Sequence, residues 1–536
     1  MKNFLKYIFY FLLIFFLGIL TERFNIDNKV SNFFKNIIDK SSRIIYSLRS
    51  QEKLEIFIEP KEYNKLLVSR ELALSEGILQ EKMQVWAKAK LKNKDSLSNI
   101  KIRIKGVFPD HWSDSKQWSF KIRVMNDSQP YDNYNRFNLQ TPQTSSFMYE
   151  WILMKALEKE GLISLGTKYY ELIINGSSRG AYMIQGSLSD EILELNQRDP
   201  GPIIGFSKNL FLKEYPNSKR LNKQGATGSL NGIEDSFWRS KIEPTQFSNK
   251  NIGKIEETDL KKAIYLLESF RNGEKKPSEV FVVNKLAKIM ALRALLGSSE
   301  FDYRDTKFYY NPSLSLLEPI TKESHVDLNL NFKDHYFSWW LDSSNIKPHR
   351  PSNKNFFLDI LYNDYDFYQI YLSELHKLSK VKYFENLIQE NNKEFKKYLK
   401  IQKMNYPTKK VFSIEQLRIN RLRIQDLLNP VQGLNVYFLE YNNGILNLDI
   451  SNLQRLPIKI LGLEFKNNKK ILLKKPSILK GKIPQHPLVN QKIKIDCLFK
   501  EECKKLMISK QKVLYQVLGS NKTQKAEISM FYFKSE

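Results

Sequence analysis

The sequence predicts an α+β chain in three parts: an N-terminal membrane segment, a mixed body and a small β-rich domain at the C-terminus. Three observations predict it. The run from Tyr7 to Thr21 contains no charged residue. Between Leu54 and Leu428, stretches of period-two apolar alternation and stretches of helical spacing follow one another without the regular βαβ alternation of a parallel sheet. Past Asn429-Pro430, short alternating segments separated by turn signals run to the end.

The opening, MKNFLKYIFYFLLIFFLGILTER at 1–23, places Lys2 and Lys6 before the apolar run. The run is short for a span, which needs about 20 apolar residues. Counting from Phe4, with Lys6 reaching back to the interface, brings it near that length. An uncleaved signal anchor is the first reading. A cleaved signal peptide and a buried or peripheral helix are the alternatives, although Gly18-Ile19-Leu20-Thr21 puts bulky residues where a cleavage site needs small ones. Arg23, Lys29 and Lys35 follow the segment, so charge asymmetry sets orientation weakly. The short N-terminal tail favours a cytoplasmic N-terminus and an exported body. Residues 24–53 read as an amphipathic helical stalk.

Behind the stalk, roughly 500 residues are enough for two to four domains. A hydrophobic fraction of 42% with 13% aromatics excludes disorder as the default. The formal charge of +27 favours anionic partners: phosphorylated ligands, lipid headgroups or acidic polymers. The joint abundance of Lys, Asn, Ile and Phe is also what an AT-rich genome produces, and both readings stand. No nucleic-acid-binding signature accompanies the charge, so no nucleic-acid partner is expected. Cys497 and Cys503 stand close enough to bridge a short loop in an oxidising compartment, or to remain free thiols; no second Cys or His pair gives zinc spacing.

Along the body, Ile56–Ile58, Ile100–Ile104 and Phe120–Val124 alternate as strands. Phe147–Gly161 has helical spacing and a glycine stop. Tyr169–Ile174 and Ala181–Gln185 form a hairpin around the turn residues Asn175–Gly180. Residues 215–255 carry the glycines and polar residues of a long loop. Helices are expected at 258–272 and 278–296, a strand at Phe308–Tyr310, a second apolar stretch at Leu316-Leu317, and mainly helix over 355–428. Ser413 and Gln416 read as a capping box. Asn442-Asn443-Gly444 marks a turn in the C-terminal domain, 429–536, which reads as a small sandwich.

Walker A, dinucleotide-binding and Gly-x-Ser-x-Gly motifs are absent. On the strand KQWSFKIR at 116–123, Ser119, Lys121 and Arg123 share one face; two cations there could hold phosphates, although on pattern alone a solvated outer face is the first reading. In GSSEFDYRDTKFYYNP at 297–312, Asp302 and Asp305 fall in a loop between a buried helix and a strand. In LLEPITKESHVD at 316–327, Glu318, Glu323 and Asp327 follow a strand.

In order, residues 98–325 resemble the CotH (spore coat protein H) kinase-like family. The resemblance is carried by IRIKG at 102–106, KQWSFKIR, RFNLQTP at 136–142, the EW-to-EKEG helix, the ING…RGAYMIQ hairpin, EILELNQRDPGPIIGF at 191–206 and the run through LLEPI. It is nearest to the bacterial members with a large extracytoplasmic body. The resemblance implies an atypical minimal protein-kinase-like domain over 54–428 that binds ATP with Mg2+ (or Mn2+). Lys121 or Arg123 would hold phosphates, Asp302 would be the catalytic-loop aspartate, and Asp305 and Glu323 would hold the metal. It also implies a single-pass protein of a bacterial inner or plasma membrane whose body meets a protein or an anionic surface polymer.

Four positions depart from the family pattern. Asp305 replaces asparagine, Glu323 replaces aspartate, Gly186 stands where glutamate is usual, and Ser145-Ser146 stand where arginine is common. Octahedral Mg2+ tolerates little displacement of its ligands. Two functions are therefore expected: a diverged extracytoplasmic kinase acting on a protein or surface component, or a catalytically impaired pseudokinase or binding scaffold in envelope or surface assembly.

Overall fold

The computed structural model describes residues 52–93, 96–210, 212–213, 236–245, 254–298, 305–324, 326, 356–466, 468–482, 487–497 and 511–529. The expected membrane segment, the stalk up to Gln51 and the expected catalytic Asp302 lie outside them. Among the described residues no helix is long and apolar enough to cross a membrane.

In chain order the principal elements begin with β1 (Lys53–Phe57), α1 (Pro60–Glu76), β2 (Ala87–Asn93), β3 (Ser96–Ile104), β4 (Phe120–Val124) and β5 (Arg136–Gln140). Next come α2 (Met148–Lys159), β6 (Lys168–Ile174), β7 (Ser177–Gly186), β8 (Ile203–Phe206) and β9 (Ile242–Pro244). These lead to α3 (Lys254–Arg271), α4 (Val283–Leu296), β10 (Lys307–Asn311) and β11 (Leu316–Ile320). Then follow α5 (Tyr365–Lys380), α6 (Asn392–Lys403), α7 (Ile414–Leu428), β12 (Leu434–Asn442), β13 (Ile445–Asn452), β14 (Ile458–Glu464), β15 (Lys470–Leu479), β16 (Asn490–Asp496), β17 (Lys512–Val517) and β18 (Gln524–Glu527). The α+β class is as expected.

By contact the chain forms two compact units. The first comprises the described residues up to Glu158, Ser164–Leu195 and Asn386–Ser413; the second comprises Lys159–Ile163, Asn196–Glu385 and residues from Ile414 onward.

The first unit holds a closed seven-stranded barrel in the order β1-β2-β3-β4-β5-β7-β6. Local pattern predicted β1, β3, β4, β6 and β7 but neither β2 and β5 nor the closure, which depends on the parallel pairing of β1 with β6 (Lys53 with Glu171 through Ile56 with Ile174). Ile100, Ile102, Ile104, Phe120, Ile122, Val124, Phe137 and Leu139 all lie below 4% exposure and fill it. The expected hairpin turn is tighter than its sequence suggested. Asn175 and Gly176 both take positive φ (50° and 76°), giving a two-residue turn, and β7 begins at Ser177. Helix α6 packs on β6 through Tyr398, whose ring lies 5.3 Å from that of Tyr169 and 6.4 Å from that of Trp151. Asn405, just past α6, donates to the Ala181 carbonyl at 3.3 Å. It sits against Gly180, where φ is +89° and a Cβ would fall 1.8 Å from its Oδ1.

The second unit contains the sheet β11-β10-β8-β9 and the buried helix α4. The helix expected at 278–296 is interrupted. Phe281 is extended (φ −113°, ψ 152°) and bridges Leu317, and Val282 N–H donates to the Leu317 carbonyl at 2.9 Å. The break lets Phe281 reach Phe270, Phe308 and Phe357, with ring centres 4.8, 5.3 and 6.1 Å away. Within the same unit, β12-β13-β16 and β15-β14-β17-β18 form two antiparallel sheets, as a sandwich requires. Asn443 and Gly444 (φ 50° and 81°) make the expected turn. Cys497 is buried and disulfide-bonded; Cys503 lies outside the described residues.

Glu318 was expected after a strand. It lies within β11, 1% exposed, and accepts from Arg198 Nε (2.9 Å), Lys285 Nζ (2.6 Å) and Asn311 Nδ2 (2.8 Å). Arg198 also donates to the carbonyls of Asn196 and Gly161, each at 2.8 Å. This buried carboxylate joins the hairpin β10–β11 to the first turn of α4. Glu318→Ala leaves two cations facing a buried void, so it is expected to destabilise the chain by about 3–5 kcal/mol. Urea unfolding checks this through a lowered midpoint at constant slope.

Candidate functional site

The candidate site lies in the second unit, at the open end of the β10–β11 hairpin. Lys307 pairs with Ile320 as the first rung. Asp305 stands two residues before that rung and Glu323 three after it, so strand pairing brings two predicted residues to one place. Helix α4 positions the second of them. Arg293, 2% exposed in its last turn, donates from Nη1 to Thr321 Oγ1 (2.7 Å) and to the Glu323 carbonyl (2.6 Å). Ser298 Oγ donates to the Ser324 carbonyl, and Ser298 bridges Val326. Gly297 ends the helix at φ +81°, with Asn420 Nδ2 only 2.5 Å from where a Cβ would stand.

Three lysines converge on these carboxylates. Lys208, following β8, forms an ion pair with Asp305. Lys307 is 9% exposed and lies across Gly205, where a Cβ would come within 2.4 Å of its Cδ; its Nζ donates to the Phe206 carbonyl at 3.2 Å. Lys322 lies between Thr321 and Glu323 on the strap held by Arg293. Burial works to raise the Asp305 pKa, but the Lys208 ammonium outweighs it and holds the carboxyl down to about 2; Glu323 opposes this and Lys322 assists. Burial, then Lys322 and Lys208, pushes the Lys307 ammonium down to about 7, against the pull of Asp305 and Glu243. The half-exposed pair of Lys208 and Asp305 is screened by water, so it orients the side chains more than it stabilises the fold.

This arrangement tests the expected metal. A dication held by Asp305 and Glu323 would have to displace Lys208 and stand beside Lys307 and Lys322. The donor set fits an anion, which two or three ammonium groups would receive, better than it fits Mg2+ or Mn2+.

Of the remaining predicted residues, Asp302 lies outside the described residues. Lys121 and Arg123 belong to β4 in the first unit, half-buried and alternating with buried Phe120, Ile122 and Val124. Gly186 has a packing reason: a Cβ there would lie 2.5 Å from Ile192 Cδ1 and 2.9 Å from the Leu165 carbonyl, which excludes glutamate. Ser145 is buried, and Ser146 takes φ 55° at the end of a short turn. Lys208, Lys307, Lys322 and Arg293 were not predicted. The one signal for them was a lysine directly before Phe308-Tyr309-Tyr310, an ammonium at the head of a buried strand.

No family model matches the chain, and no curated protein matches it significantly.

Unfolded lysine titrates near about 10.4, while folded Lys307 titrates near 7. Between those values the unfolded chain binds more protons, so stability is expected to rise with pH from about 7 to about 10. Lys307→Met removes that contribution. Urea midpoints at a series of pH values should rise more steeply for the wild type than for the variant across that window.

Proposed function

We propose that the chain is a catalytically impaired relative of the CotH-like kinases, a body that binds a phosphate-bearing ligand at the mouth of β10–β11 and does not transfer phosphate. The observation that carries this reading is the ion pair between Lys208 and Asp305, with Lys307 and Lys322 beside it. A kinase needs a catalytic aspartate, metal-binding side chains at the catalytic loop and after the following hairpin, and a cation on the phosphates. The order helix α4, loop, hairpin, Glu323 matches that plan. The charges do not: ammonium groups occupy the place the plan gives to metal, and they bind phosphate oxygens directly.

An active, diverged kinase is the second reading. Asp305 and Glu323 flanking one hairpin mouth favour it, since those are the positions the resemblance assigns to metal ligands. It requires Lys208 to swing off Asp305 when metal enters. On either reading the N-terminal segment anchors the body at a bacterial membrane, outside the cytoplasm. Its role there is assembly of the envelope or surface through a protein or anionic polymer.

The two readings differ in their need for metal. If the site binds without transferring, ATP in EDTA should raise the melting temperature of the purified chain as much as ATP with Mg2+ or Mn2+. Lys208→Ala and Lys307→Met should shrink that shift. A shift that appears only with metal, together with phosphate transfer abolished by Asp302→Ala, establishes the kinase. No shift under any condition removes both.

A further inference from the structure

The outer face of the barrel carries a second basic feature, in the first unit and independent of the lysine site. Across β2, β3, β4 and β5 the register aligns Lys88 with Lys101, Lys101 with Arg123, and Arg123 with Arg136. Four consecutive strands thus present a cation at the same level of one face. The next level aligns Arg103 with Lys121. Neighbouring strands lie about 4.8 Å apart, so the four-cation row spans about 14 Å.

Like charges directly opposite each other on adjacent strands destabilise a sheet. Here three successive like-charge pairs persist. Among the described residues, the carboxylates that interact with the row do so at its ends: Glu62 with Lys88, and Glu191 and Asp190 with Arg136. Burial, then Arg123, pushes the Arg136 guanidinium pKa down, as repulsion along the row requires. Among the described residues, Lys101 and Arg123 in the middle have no ion-pair or hydrogen-bond partner for their side chains. Lys88 is exposed, and Lys101, Arg123 and Arg136 are half-buried. Their stems are covered and their charged ends reach solvent.

We infer that this row of Lys88, Lys101, Arg123 and Arg136 is a docking strip for a linear polyol-phosphate polymer, a base-free phosphodiester chain with one charge per repeat. The evenly stepped charges match a chain of regularly spaced anions laid across the strands. The arginines present the planar fork that receives phosphate oxygens in pairs. A nucleic acid fits less well because single strands rely on aromatic platforms. Trp86, next to the start of β2, is covered by the Arg103 guanidinium, 5.0 Å from its ring.

The test uses the full-length chain in a neutral detergent and three fluorescent probes of matched length: poly(glycerol phosphate), a polyuronate and oligo-dT. Poly(glycerol phosphate) should bind most tightly, with affinity falling as salt rises. The double variant Lys101→Thr/Arg123→Thr should lower that affinity at least tenfold and flatten the salt dependence. Its melting temperature should be unchanged or higher, because a repulsive pair is removed. Saturating ATP should leave the binding intact. Unchanged affinity in the double variant overturns the strip. Equal or tighter binding of polyuronate overturns the phosphodiester assignment, and equal or tighter binding of oligo-dT overturns the assignment to a base-free polyol phosphate. Displacement by ATP returns Arg123 to a nucleotide site and overturns the inference as well.

Discussion

The buried carboxylate of Glu318 is the constraint on which the second unit depends. It sits in β11, almost wholly out of water, and receives Arg198, Lys285 and Asn311. A lone carboxylate in that position would be strongly disfavoured; with two cations and an amide it is satisfied. The effect is geometric. The hairpin is fixed against the start of α4, while Arg293 at the far end of the same helix fixes the strap at Thr321–Glu323. With both ends tied, Asp305 and Glu323 have little choice but to meet at the hairpin mouth.

What meets there besides them decides the chemistry. Two carboxylates alone would describe half of a metal site. Lys208, Lys307 and Lys322 turn it into a mixed cluster in which Lys208 pairs with Asp305 and the charges of all five groups act on one another. Burial makes this sharper, since a lysine depressed to about 7 gains from an arriving anion by recovering its charge. The same lysine would lose further from an arriving dication. The residues that make the sequence resemble a kinase are thus surrounded by residues that oppose the kinase's usual cofactor.

Sequence reasoning reached β1, β3 and β4 of the barrel, the helix at 148–159, the hairpin at 168–186 and the β-rich character of the residues from Leu434 on, because each is written in local periodicity or turn chemistry; it did not reach β2 or β5. It did not reach barrel closure, which rests on one long-range parallel pairing of β1 and β6. It ran the helix at 278–296 unbroken, since nothing local shows Phe281 leaving to pair with Leu317 and join the phenylalanine cluster. In the site, Asp305 and Glu323 were legible because loop carboxylates near a strand draw notice. The lysines were not, because 85 Lys and Arg residues hide any three that matter. The row on the barrel was half legible. Lys121 and Arg123 appeared as two cations on one strand face, but only the register between strands turns single cations into a line.

On the proposed reading the hairpin mouth receives an anion in place of a metal. The most direct measurement is a crystal structure of the chain soaked with ATP and Mn2+, with diffraction data collected to locate manganese by anomalous scattering. Phosphate oxygens are expected within hydrogen-bond distance of Lys208 and Lys307, with no manganese peak on Asp305. A manganese ion coordinated jointly by Asp305 and Glu323, with Lys208 turned away, would contradict it.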